Sequence, residues 1–282
     1  LTAYPNATLA AGANSIVLTV TGDGISGAAW TGATSGSWDG ADLNWVTNGS
    51  AAATYPAGAA ATFDDTAAGN FAVSSSGTVS PASLLFNNSA NDYSVSAQLD
   101  GTGPLTKQGT AAVTLSGMTT YNPGAIVVNE GALTFDGASQ LNSGSYAGTI
   151  FNNGNLTYGS SAAQTYSGMI SGYGSLTKFG NEALTLAGSN LYSGATLVNA
   201  GILKVQHAYG LGSTTAGTTV NPAGTLELAG TISTLGEALA LNGTLSSQSG
   251  SNTYNGTVTL TAGSKIDVGT GSTLVLKAFT AN

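Results

Sequence analysis

The sequence predicts an all-β protein: a parallel β-helix, or β-solenoid, with a less regular section near its amino end. Three observations carry that expectation: short runs alternating apolar and polar residues, Gly and Asn punctuating those runs, and a frame that recurs along the chain. Alternation with a period of two is the pattern of a half-buried strand, as in LTLAG from Leu184 to Gly188 and TLELAG from Thr225 to Gly230. Gly and Asn supply the positive-φ positions that tight corners need. No segment sustains the i, i+3, i+4 apolar spacing of an amphipathic helix.

Two stretches align almost without gaps, Leu99 to Phe135 and Ile170 to Val205. Their common frame is G-x-G-x-L-T-K-x-G, then T-L-x-G, Tyr, G-A and V-N-x-G-x-L. Gly101, Leu105, Lys107, Gly109, Leu115, Gly117 and Tyr121 match Gly172, Leu176, Lys178, Gly180, Leu186, Gly188 and Tyr192, a step of 71 residues. A shorter period runs inside it, because the V-N corner recurs at Asn129, Asn199 and Asn221 and, shortened, at Asn242, the last three 22 and 21 residues apart. The long step then reads as three short units. A sandwich has no reason to repeat its sequence, whereas a solenoid stacks equivalent turns roughly 4.8 Å apart. About a dozen turns and a rod on the order of 60 Å follow. Leu105, Val113, Leu115, Leu176, Leu184, Leu186, Val198, Leu203, Leu226, Leu228, Leu239 and Leu241 should face inward, with Tyr121 and Tyr192 lying over a corner.

The amino-terminal part differs. All three tryptophans, Trp30, Trp38 and Trp45, fall there, with acids at Asp23, Asp39, Asp42, Asp64 and Asp65. The expected division is a strand and leader over 1–24, an irregular Trp- and Asp-containing β section over 25–98 that caps or widens the solenoid, and a repeat-built solenoid over 99–282.

Composition narrows the function. The chain has no Arg, no Cys and one His, and only 6% of its 282 residues are charged. Thiol chemistry, thiolate metal sites and guanidinium clamps are excluded. A net charge of -8 makes nucleic acid and anionic membrane surfaces poor partners, and no run is long and apolar enough for a spanning helix. The start at Leu1 reads as a mature product whose export signal has been removed.

The repeated frame resembles the passenger-associated transport repeat, also called the autotransporter-associated β-strand repeat. The segment S-W-D-G-A-D-L-N-W from Ser37 to Trp45, followed by T-F-D-D from Thr62 to Asp65, is similar to the module that often precedes such arrays. The resemblance covers residues 30–276 and implies a right-handed parallel β-helix outside a Gram-negative-type bacterium. It departs from the family at the carboxy end, where Val268 to Asn282 continues the solenoid pattern with one aromatic, Phe279, in place of the alternating strands of a membrane barrel. The expectation is a passenger cut free, or a stand-alone protein of passenger-like turns.

Candidate chemistry is sparse. His207 has no partner of its kind. Asp39, Asp42, Asp64 and Asp65 offer oxygen ligands for calcium, but their spacing matches no calcium-loop motif, and solvated loop acids are the plainer reading. Lys107, Lys178, Lys204, Lys265 and Lys277 are scattered, and the first two hold equivalent repeat positions, which marks architecture rather than a catalytic groove. No enzymatic activity and no resident cofactor are expected. Trp30, Trp38 and Trp45 are candidates for stacking on sugar rings, weighed against a place in the core or cap. Two functions are carried forward. In the first, the chain is its own partner, a subunit that polymerises head to tail through an apolar amino-terminal strand (Ile16, Leu18, Val20) and an uncapped carboxy-terminal strand (Leu274, Leu276). In the second, it is an adhesin or carbohydrate-binding module contacting glycans or a host surface.

Overall fold

The computed structural model describes residues 7–12, 15–20, 27–47 and 50–281. Among them the regular elements are strands, apart from one 3-10 turn at Asn142–Gly144. No helix there is long and apolar enough to cross a membrane. The strands wind into a parallel β-solenoid of about 11 turns, close to the dozen expected. At ~4.8 Å per turn the stack is ~50 Å long.

Strand pairing sorts the solenoid into three faces. On the first, Ala61, Leu84, Leu105, Ile126, Ile150 and Ile170 follow one another in register, so a turn takes 20 to 24 residues. The second stacks Val95, Leu115, Phe135, Tyr158, Lys178, Val198, Val220 and Leu241. The third stacks Tyr146, Tyr166, Leu186, Val205 and Leu228. Every one of these residues is buried, and so are all twelve expected inward positions. The core is thus a set of apolar ladders, each side chain packed on its counterparts above and below.

Two long strands, Thr196–Val205 and Thr218–Ala229, run around the corner between the second and third faces, with a register shift between Val198 and Ala200. The V-N corner lies there. Asn221 Nδ2 donates to Asn199 Oδ1 at 2.6 Å, joining the corners of successive turns. The tyrosines expected over a corner instead turn inward. Tyr121 and Tyr192 are at most 1% exposed, and their hydroxyls are satisfied inside, the first on the Gly103 carbonyl (2.6 Å) and the second with the Thr196 hydroxyl (2.7 Å). A buried ring with a bonded hydroxyl fills a wide corner better than a flat-lying one does.

At the amino end, β1 (Ala7–Gly12) and β2 (Ser15–Val20) pair antiparallel as a two-stranded sheet separate from the solenoid sheets. The strand expected from Ser15 is present, paired with part of the leader that precedes it. The side chains of Ile16, Leu18 and Val20, and the rest of 1–24, lie outside the described residues. Next, β3 (Ala28–Trp30) stacks in parallel on Ala60–Asp64 and pairs antiparallel with β4 (Trp45–Thr47), which pairs antiparallel with β5 (Ser50–Ala53). A parallel bridge from Ser37 to Ser74 lays the intervening loop against the second face. Beneath this meander Trp30, Trp38, Trp45, Tyr55 and Phe63 interlock, with ring centroids 4.8 to 5.8 Å apart. Regular parallel turns begin beneath this aromatic cluster at Ala60, within the 25–98 section expected to be irregular, because Ala60–Asp64 already pairs in parallel with Ser83–Asn87.

Candidate assembly and binding surfaces

The four acids considered for calcium fall into two groups, each engaged by its own chain. The Asp39 carboxylate accepts the Ser37 hydroxyl at 2.7 Å and the amides of Ala41 and Asp42 at 2.9 Å, and these bonds, the Asp42 amide foremost, hold its carboxyl below the usual range. Asp42 accepts the Ser35 hydroxyl at 2.5 Å, and Asp64 accepts the amide and hydroxyl of Thr66 at 2.9 and 2.5 Å. Asp65 reaches the next turn, accepting the amides of Ser89, Ala90 and Asn91 at 2.8, 3.0 and 3.3 Å, and the Ser89 bond leads in lowering its pKa. Among the described residues, no three His, Asp or Glu side chains gather where a metal ion would fit.

The tryptophans lie in the cap rather than on a surface. Trp30 and Trp45 are fully buried and Trp38 is 1% exposed, so their faces meet one another and leave none for a sugar. A groove of about 400 Å³ beside them is lined by Trp38, Asp39, Tyr55 and the segment Ser76 to Ser80.

The lysines divide by role. Lys107 Nζ donates to the carbonyls of Gln108 and Gly109 at 2.6 and 2.5 Å, and Lys178 Nζ to those of Phe179 and Gly180 at 2.7 Å each. Both side chains are buried, and burial lowers each ammonium to about 8. Lys204 pairs with Glu227 at 3.0 Å, while Lys265 and Lys277 are exposed. His207 Nδ1 accepts the Tyr209 amide at 3.1 Å.

Two apolar surfaces remain. At the carboxy end, Ile266, Val268, Leu274, Leu276 and Phe279 stack on Leu245, Ser247, Asn252, Tyr254 and Val258, which places them in the inward row of the last turn. Ile266 and Phe279 are 45% and 64% exposed, whereas Leu245 and Val258 one turn below are fully buried. The expected Leu274 and Leu276 lie there together with Ile266, Val268 and Phe279, whose alternation in the sequence carries the same signal. The second surface lies around Tyr173, just after the first-face strand Ile170–Ser171, and it was not among the expected sites.

Comparison with known proteins agrees with this architecture. The Passenger-associated-transport-repeat family matches residues 105–135 and 176–205. Over 71 residues the chain is 45% identical to the Adhesin BmaC autotransporter of Brucella suis biovar 1 (strain 1330), a match covering 25% of this chain and 2% of that protein. No solved structure matches. The fold fits a passenger-like β-helix, two segments of which match the passenger-associated transport repeat.

Proposed function

We propose that this chain is a non-enzymatic, extracellular rod of the passenger and adhesin type on a bacterial surface, and that it assembles end to end into a filament. The two transport repeats and the similarity to an autotransporter adhesin support the surface setting. The use of its polar groups supports a structural role, since acids and buried lysines are spent on the chain's own amides and carbonyls.

The observation that carries assembly is the difference between the two ends. The amino end is closed by the antiparallel meander and its aromatic cluster. Among the described residues, the strands Lys265–Val268 and Thr273–Ala281 carry an exposed apolar row. Such an edge is a template for another strand. A capped amino end disfavours plain stacking of turn on turn. The β1–β2 hairpin of a second copy is the suitable occupant, because it pairs with no solenoid strand among the described residues and β2 reads SIVLTV. This contact is heterologous, and its repetition builds an open fibre.

Electron microscopy and size-exclusion chromatography on three proteins test this: the full chain, the chain lacking residues 1–21, and Phe279→Asp, whose side chain is already largely exposed. The full chain should form fibres and the other two should remain monomers. Unchanged fibres after the deletion, or a full chain that stays monomeric at high concentration, would sink the proposal.

A further inference from the structure

The outward side of the first face carries a pattern that end-to-end assembly does not use. Leu85, Thr106, Val127, Phe151 and Ser171 follow one another turn by turn in its outward row. Leu191 continues it one turn on, its amide donating to the Ile170 carbonyl. Tyr173 stands beside this row, its amide on Asn153 Oδ1 at 3.1 Å and its side chain 82% exposed. Leu191 is 58% exposed, and Met169 and Tyr209 are also open to solvent on neighbouring turns.

Two features define what this surface would take. It is uncharged: from Gly137 to Leu226 the only Asp, Glu, Lys or Arg residues are Lys178, Glu182 and Lys204, and Lys178 is buried. A polyanion or polycation finds no complement there. It is also interrupted, because Ser171 separates Phe151 from Leu191 and Asn153 adjoins Tyr173, so no continuous apolar patch of the kind that buries another protein is formed. Isolated rings and alkyl groups set among hydroxyls and amides match the CH faces and hydroxyl rim of a sugar ring. Phe151 and Leu191 stand two turns apart along the rod, ~9.6 Å, close to the length of two residues of an extended glycan.

We propose that this strip of the first face, centred on Phe151, Tyr173 and Leu191, binds a neutral polysaccharide laid along the rod axis. The proposal goes beyond filament formation and stands without it.

Affinity electrophoresis of the full chain through gels containing a soluble neutral glucan, xylan or galactomannan tests it, with polygalacturonate as the charged control. At least one neutral polymer should retard the protein, and added salt should leave the retardation unchanged. Tyr173→Ala with Leu191→Ser, both largely exposed in the native protein, should weaken binding about tenfold while the melting temperature stays put. Retardation by the polyanion alone, no retardation by any neutral polymer, or a double variant that binds like the parent would overturn the site. Loss of self-association in the double variant without any glycan binding would assign the face to a second copy instead. Fibre formation is scored separately, so either proposal can fail without the other.

Discussion

Glu237 gives the sharpest quantitative test of how this core is built. Its side chain is 3% exposed, and its Oε1 accepts the Thr218 hydroxyl at 2.7 Å. Thr218 stacks on Thr196, which bonds Tyr192, and burial, helped by the charge of Glu237, raises the pKa of Tyr254, whose hydroxyl has no hydrogen-bond partner among the described residues. Burial pushes the Glu237 carboxyl up from 4.5 to about 8, against the Thr218 bond, which lowers it. Between those two values the folded chain holds a proton that the unfolded chain has released, so stability falls as pH rises through that window. A displacement of about 3.5 pH units at ~1.4 kcal/mol each sets a ceiling near 5 kcal/mol, and ~3–5 kcal/mol is the expected loss. Glu237→Gln keeps the shape and the hydrogen bond but cannot ionise. Urea unfolding at pH 5 should therefore give similar stabilities for both proteins. At pH 8.5 the variant should be the more stable by ~3–5 kcal/mol, with a melting point higher by on the order of 5–10 °C. Parallel pH profiles for the two proteins would refute this account of the site.

Three further substitutions address the corners and the cap. Gly180 has φ of +83°, and a Cβ there would collide with the Gly159 carbonyl oxygen, so Gly180→Ala should cost at least ~1–3 kcal/mol in urea unfolding. Lys178→Met keeps the buried stem but strands the carbonyls of Phe179 and Gly180, with an expected loss of ~1–3 kcal/mol; because Lys178 titrates at about 8 when folded against 10.5, the native protein should gain stability from this group between those pH values, and the variant should lack that gain. Trp45→Ala opens the centre of the aromatic cluster and should cost ~3–5 kcal/mol, seen as a lower midpoint in tryptophan-fluorescence-monitored urea unfolding.

Period-two alternation made the inward ladders legible because burial on a parallel strand leaves one choice of side. All twelve leucines and valines expected inside are there. Tyr121 and Tyr192 turn inward because each hydroxyl finds a partner inside, the Gly103 carbonyl and the Thr196 hydroxyl, which the sequence alone does not bring near. The acids were recognised as loop residues, yet the reach of Asp65 to three amides 24 to 26 positions later depends on turn stacking that spacing alone does not show. Tryptophan content signalled the cap but not which faces stay open. The outward strip near Tyr173 was illegible because neighbouring turns, not neighbouring residues, assemble it.

The two copies of the repeat reveal what kind of unit it is. In the first, Leu105–Gln108 and Ala112–Leu115 lie under Ala125–Val128 and Ala132–Phe135, across the corner between first and second faces. In the second, Ser175–Lys178 and Ala183–Leu186 lie under the two halves of Thr196–Val205, across the corner between second and third faces. The 71-residue step is therefore three turns and one face, rather than the three units that spacing suggested. What repeats is a two-turn corner: K-x-G below and V-N-x-G above, with Gly109, Gly131, Gly180 and Gly201 all at positive φ. The lysine amine holds the lower corner's carbonyls, and in the second copy Lys178 Nζ also reaches Ala200 of the upper corner at 3.4 Å. Such a unit fits any corner where two parallel strands meet, so it can sit out of phase with the solenoid without distorting it. Moving the motif to a third corner by a one-face insertion should then be tolerated, whereas inserting a single residue within one of its strands would turn the inward side chains that follow in that strand outward, seen as a lower urea midpoint.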